Sequence, residues 1–257
     1  MTKIFNAKLN KDLLRSIDET ERAFIFAMVH FSNEMNALNK LLLWTSIKPS
    51  PNRVENLGRL TFQFMFMRYF AGKLFEGYQL LSKSYQGSSL SKEYTPNLSE
   101  EAKSALKNIN SYFSKENIIY KIRNTLAFHY DPKTLDNGFL DSPDDFDVFL
   151  EKDGSANSLF YFGEVVAGRA LISEGGDLSS GTNNPFENLV KEVFKVARWF
   201  TKVTSEIFVL FVNKYSDKIW EKEPVELELQ GLISILDIQI PWFTDLSKTE
   251  DLFEEDK

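Results

Sequence analysis

Apolar residues recur at steps of three and four along most of this chain, the spacing of helices that bury one face. The first stripe is Phe24, Ile25, Met28, Phe31, Met35, Leu38, Leu41 and Leu42, and it predicts one long helix over about 17–46. Ser16 followed three residues later by Glu19 fits a capping box at its start. A second stripe, Leu60, Phe64, Met67, Phe70, Ala71, Leu74, Tyr78 and Leu81, predicts a helix over about 50–84 that opens on Ser50-Pro51. Phe62, Phe66 and Phe75 widen its apolar band, so more than one of its faces should be covered. Ala102, Leu106, Ile109 and Phe113 form the inner face of a shorter helix from Glu100 to Phe113. Ile118, Ile119, Ile122 and Leu126 extend the pattern in a helix capped by Ser114, so that 100–131 is helical in two pieces. The last stripe, Leu189, Val193, Ala197, Phe200, Ile207 and Phe211, predicts a long helix over about 184–214 behind the start signal Asn184-Pro185-Phe186-Glu187.

Elsewhere the period is lost. Residues 1–15 read as a loosely held lead-in, and Gln86–Tyr94 as a loop. Residues 132–183 read as an insertion, in which Phe146–Leu150 and Leu159–Phe162 flank Asp153-Gly154-Ser155 as a small β-hairpin. Val165–Ile172 would add a strand, and Glu174–Asn183 a glycine- and serine-rich loop. Residues 215–257 form a C-terminal extension with one alternating piece, Val225–Leu229, and an acidic end from Glu250. The expected fold is therefore a mainly α, up-and-down helical bundle in one domain, residues 1–257, with a β-hairpin insertion before the last long helix.

Composition changes this picture only a little. With 43% hydrophobic residues and 23 phenylalanines, the chain can build an aromatic-rich core. It has no cysteine, which excludes disulfides, thiolate metal sites and cysteine nucleophiles. The start of the chain lacks the layout of a signal peptide, and the most apolar windows are broken by Arg68 and Lys73, so a cytoplasmic protein without a membrane span is expected. Net charge is −7, which argues against a general nucleic-acid binder. It is unevenly spread: residues 1–130 carry 18 Lys and Arg against 11 Asp and Glu, whereas 131–257 carry 12 against 26.

The basic half ends in Lys121-Ile122-Arg123-Asn124-Thr125-Leu126-Ala127-Phe128-His129-Tyr130-Asp131-Pro132, which holds one of only 2 histidines. Arginine offers a planar, permanently charged fork suited to phosphate. Histidine exchanges a proton near neutral pH. Together they could cleave RNA without a metal, His129 acting as general acid or base and Arg123 stabilising charge on the phosphate. Asn124 can orient either neighbour through its amide. Lys121 and Tyr130 are candidate RNA contacts. Six residues of ideal helix turn about 600°, which leaves Arg123 and His129 about 120° apart. The helix must therefore fray near Phe128, helped by Pro132, or two copies of the chain must share the site. Arg123 and Tyr130, seven apart, would share a face. A structural reading gives Arg123 an ion pair with Glu116 or Glu19, and His129 a place at the helix end bonding last-turn carbonyls.

Arg123-Asn124-Thr125-Leu126-Ala127-Phe128-His129 resembles the signature of HEPN-domain proteins: an arginine, a polar residue, and a histidine after four to six intervening residues. The resemblance covers the bundle, about 17–131 and 184–214. It implies an all-α bundle, often a homodimer in which the motifs of two protomers meet, and metal-independent endoribonuclease activity of the kind found in toxin–antitoxin and phage-defence systems. Arg123 and His129 would then be catalytic and Asn124 supporting, with no cofactor or metal. RNA, an antitoxin or a nucleotidyltransferase would be partners. Some toxins of the family carry a modifiable tyrosine two residues after the histidine; Asp131 stands there in this chain, against that form of control. Other members are inactive modules that bind RNA, nucleotide or protein, which is the alternative function.

Other candidates are thinner. His30, beside Glu34 on the first long helix, reads as structural. Arg59 and Arg68 could widen a basic groove, but nine helical steps set them on opposite sides. Asp141–Asp147 lacks the spacing of a calcium loop.

Overall fold

The computed structural model describes residues 2–46, 49–152, 156–174, 185–215, 220–238 and 240–245. In chain order the main elements are β1 (Thr2–Leu9), α1 (Lys11–Ser16), α2 (Glu19–Ser46), α3 (Arg53–Leu80), α4 (Ser89–Tyr94), α5 (Glu100–Phe113), α6 (Ile118–Ile122), α7 (Pro132–Leu140), α8 (Tyr161–Glu174), α9 (Pro185–Lys214) and β2 (Trp220–Leu229). The fold is a mainly α bundle. Helix α3 runs through its middle and touches α2, α5, α6, α8 and α9. That accounts for its wide apolar band: Met67, Phe70, Ala71 and Leu74 are buried, each large side chain contributing about 1.5–3 kcal/mol. The predicted inner faces of α5, α6 and α9 are buried throughout. On α2, Phe24, Ile25, Met28, Phe31, Met35 and Leu42 are core, and Leu38 and Leu41 are half-buried.

Several boundaries differ from expectation, each for a local reason. Ser16 closes α1 by donating its hydroxyl to Leu13 O, so the N-cap of α2 falls to Asp18, whose carboxylate accepts from the amides of Thr20 and Glu21 at 3.0 and 3.1 Å. Asn52, not the Ser50-Pro51 pair, caps α3 by accepting from Val54 N at 2.9 Å. Ser114 is the C-terminal cap of α5, and Asn117 caps α6, accepting from Tyr120 N at 2.9 Å. The expected loop 86–94 contains α4, which Ser88 caps by accepting from Ser91 N.

The β structure lies elsewhere than predicted. The 146–162 hairpin reduces to one isolated bridge, Phe149 with Leu159, and its turn, 153–155, lies outside the described residues. The strand expected over Val165–Ile172 is part of α8. Ala167, Ala170 and Leu171 recur there at helical spacing and are buried, and this packing overrides the β preference of the valines. Gly138 of α7 seats against the Val166 carbonyl and Ala170 of α8, where a Cβ would collide. The lead-in 1–15 instead supplies β1 and α1. β1 pairs antiparallel with β2, Ile4 opposite Leu227 and Asn6 opposite Val225, in a two-stranded ribbon. The acidic end from Glu250, the 174–183 loop beyond Glu174 and the Asn184 cap lie outside the described residues.

One buried ionic cluster ties the chain ends of the bundle together. The buried Glu21 carboxylate accepts from the Tyr94 hydroxyl, from Lys214 Nζ at 3.0 Å and from the Tyr215 hydroxyl at 3.0 Å. It thereby joins the start of α2 to α4 and to the end of α9. Burial, and then the Glu21 carboxylate, push the Tyr94 hydroxyl far above its ordinary pKa, so it remains a donor.

Candidate active site

The 121–131 segment does not form a straight helix. After α6 the backbone widens into a π-helical turn, Arg123–Ala127, and stops at Phe128. Thr125 donates its hydroxyl back to Lys121 O at 2.8 Å, a bond that competes with regular helix geometry. Asp131 N then reaches back to Thr125 O at 3.2 Å. Pro132 keeps Asp131 extended, and Asp131 begins α7 as its N-cap with proline at the first position. Pro132 therefore ends one helix and opens another, α7, which a proline taken as a stop signal alone does not predict. Thr134 Oγ1–H, ahead of the Lys133 and Thr134 amides, holds the Asp131 carboxyl below its ordinary range.

The turn is seated against α3 at Gly72. A Cβ there would lie 2.6 Å from Cε2 of Phe128 and 3.2 Å from Cβ of Ala127. Tyr69, one turn earlier on α3, stacks on Phe128 with ring centroids 6.3 Å apart. Phe128 thus anchors the chain immediately before His129. Beside it an open cleft of about 470 Å³ lies between α2, α3 and the turn, lined by Leu38, Tyr69, Lys73, Ala127 and Phe128, with Glu34 at its edge.

Arg123 is half-buried in a polar network. Its Nε donates to Glu76 Oε1 at 3.1 Å, and Nη1 donates to Asn124 Oδ1 at 2.9 Å. The guanidinium carbon stands 5.5 Å from the centre of the Phe75 ring. Nη2 makes no hydrogen bond with the described residues. The ion-pair partner is Glu76 of α3 and not Glu116 or Glu19; Glu116 instead lies 3.4 Å from Lys121 Nζ. His129 and Tyr130 are exposed in the irregular link between the π turn and α7. His129 has no hydrogen-bond or ion-pair partner among the described residues, so it does not bond last-turn carbonyls. Tyr130, 78% exposed, has left the helix and does not share a helical face with Arg123.

The structure therefore brings Arg123 and Asn124 into direct contact and leaves His129 and Tyr130 in solvent, with Lys121 paired near the start of the segment. His30 is exposed on α2, 3.9 Å from Glu34, which also takes Lys73 at 2.6 Å. Arg59 and Arg68 do not widen a basic groove: both are buried, and they pair with Glu55 and Glu164. Gly72 and Glu76, one turn apart on α3, were not anticipated. A glycine inside a wide apolar stripe was the available signal for Gly72; nothing in the sequence pattern singles out Glu76. Among the described residues no cluster of three His, Asp or Glu side chains could hold a metal ion. No helix among them is long and apolar enough to cross a membrane. Comparison with family models, curated proteins and solved structures finds no match to the chain.

Proposed function

We propose that this chain is a metal-independent endoribonuclease of HEPN type, with Arg123 and His129 as its reacting pair. The observation that carries the reading is the division of labour along one short segment. Asn124 and Glu76 fix the direction of the Arg123 guanidinium and leave Nη2 free, while His129 stands unpartnered in the link beyond Phe128. In the reaction, one imidazole takes the proton from a ribose 2′-hydroxyl. The 2′-oxygen attacks phosphorus, the bond to the 5′-oxygen breaks, and an imidazolium returns a proton to that leaving oxygen. The products are a 2′,3′-cyclic phosphate and a 5′-hydroxyl end. Arg123 stabilises the charge that builds on the phosphate oxygens. No contact joins Arg123 to His129 within one chain, so in this reading a homodimer supplies the opposing imidazole, with Lys121 and Tyr130 lining the path of the RNA. A cytoplasmic toxin or phage-defence role under an antitoxin fits such an activity.

The test is RNA cleavage in EDTA by the full chain and by Arg123→Ala and His129→Ala. Each substitution should abolish cleavage while the far-ultraviolet circular dichroism is unchanged. Cleavage that survives both changes rejects the reading. The Arg123–Glu76 pair favours a second reading, in which the guanidinium is committed to its own fold and the protein is an inactive module that binds RNA, nucleotide or a protein partner. That reading expects no cleavage at all, with salt-sensitive RNA binding unaffected by His129→Ala.

A further inference from the structure

A second surface, on α5 and α9, carries the chemistry of a single-stranded nucleic-acid site. Lys195, Arg198, Trp199 and Lys202 fall at i, i+3, i+4 and i+7 on α9 and so form one stripe. With Glu100, Glu101, Ser104 and Asn108 of α5 they line an open groove of about 550 Å³.

The acids at this groove, two of them in its lining, pair with cations other than Lys195 and Arg198. Glu100 pairs with Lys103 at 2.9 Å, and Glu101 and Glu206 lie 3.8 and 3.0 Å from Lys202. That leaves Lys195 and Arg198 as exposed cations with no anionic partner among the described residues. They flank the half-buried Trp199, which is held edge-on by Tyr112 at a centroid distance of 6.3 Å. Tyr112 is itself fixed by donating to Glu192. The ammonium of Lys195 lies 5.2 Å from the centre of the Trp199 ring. One face of the ring is thus covered only by a flexible cation, which a nucleobase can displace. The displaced ammonium is then placed for the adjoining phosphate. An indole face, two unpaired cations and two small polar side chains in one groove match a base stacked between flanking phosphates.

We infer that the α5–α9 groove binds single-stranded RNA, with a base stacked on Trp199 and phosphates held by Lys195 and Arg198. The choice of RNA rests on the proposed function, but the groove is separate from the Arg123–His129 segment and its role does not require cleavage. Fluorescence anisotropy of the full chain with a labelled oligouridylate at low salt tests it. Trp199→Ala should weaken binding about 10-fold, as loss of one stacked base does, and Trp199→Phe should restore most of it. Arg198→Glu, on the exposed side of α9, should weaken binding comparably and flatten its dependence on salt. In the Arg123→Ala, His129→Ala background, Trp199→Ala should still weaken the remaining binding about 10-fold, so that a failed cleavage assay and a failed groove are told apart. Unchanged affinity in both Trp199→Ala and Arg198→Glu overturns the inference. So does equal affinity for a duplex RNA of the same length, since paired bases cannot stack on Trp199.

Discussion

Arg68, on the central helix at its seam with α8, and Arg123, which reaches the same helix from the π turn, differ in a way that separates structure from chemistry. Arg68 forms a bidentate pair with Glu164, at 2.6 and 3.1 Å, with only 11% and 18% of the two side chains exposed. Arg123 reaches Glu76 through one nitrogen at 3.1 Å, with 29% and 43% exposed. In the first pair both charges have left water and each depends on the other. In the second, water and an incoming anion can compete for the guanidinium, and on the proposed function a phosphate would take the place of Glu76. Burial, more than the identity of the partners, makes one pair a strut and the other a candidate site.

The largest expected effect breaks the strut. Arg68→Ala strands the Glu164 carboxylate between α3 and α8 and should cost about 3–5 kcal/mol in denaturant melts. The double change Arg68→Met with Glu164→Leu should recover most of that loss, because two apolar side chains need no partner. If Arg68→Ala melts like the unaltered protein, the distinction between the two pairs is lost.

Next comes the seat of the π turn. Gly72→Ala gains about 0.5–1 kcal/mol of helix propensity but drives a methyl into Phe128, at a cost of about 1–3 kcal/mol. The clash should win, giving a net loss of about 1 kcal/mol. The Phe128 ring should swing away from Tyr69 and take His129 with it, read as lost RNA cleavage in an otherwise folded protein. A stabilised and fully active Gly72→Ala variant would show that Phe128 does not position His129.

A smaller change in stability is expected at the exchangeable pair. Arg123→Ala should alter the melt by only about 0–1 kcal/mol. Glu76→Gln removes the competing carboxylate and should tighten phosphate-dependent RNA binding at low salt. Weaker binding by Glu76→Gln would place Glu76 on the side of the ligand and not in competition with it.

The smallest effect is one of pH. The Asp131 carboxyl is held below its ordinary range chiefly by the Thr134 hydroxyl, so it adds stability above that range and loses it as pH falls through its lowered value. Between about pH 5 and pH 2 a part of the acid-induced drop in melting temperature should disappear in Asp131→Asn. An identical pH profile for that variant would mean that the cap of α7 does not depend on the ionised carboxylate.

The apolar stripes of α5, α6 and α9 were readable in full, because three- and four-residue spacing fixes which side of a helix is buried whatever packs against it. The motif was readable only as a list of residue types. Arg123 and Asn124 proved to be partners, as their adjacency and chemistry suggested. Glu76, 47 residues earlier on α3, could not be foreseen, since no local rule links it to Arg123. The pairing of β1 with β2 was hidden for the same reason: its partners, such as Thr2 and Leu229, stand at opposite ends of the chain.

Periodicity by itself determined that this protein is a mainly α bundle with an arginine and a histidine near a helix end. Only the tertiary structure decided that the helix opens into a π turn, that Phe128 locks onto Gly72, and that Arg123 is held while His129 is left in water. Helix faces follow from forces between residues a few positions apart, which the order of amino acids encodes directly. The state of a charged side chain depends on which distant groups share its space and how much water remains there, and that is set when the helices pack.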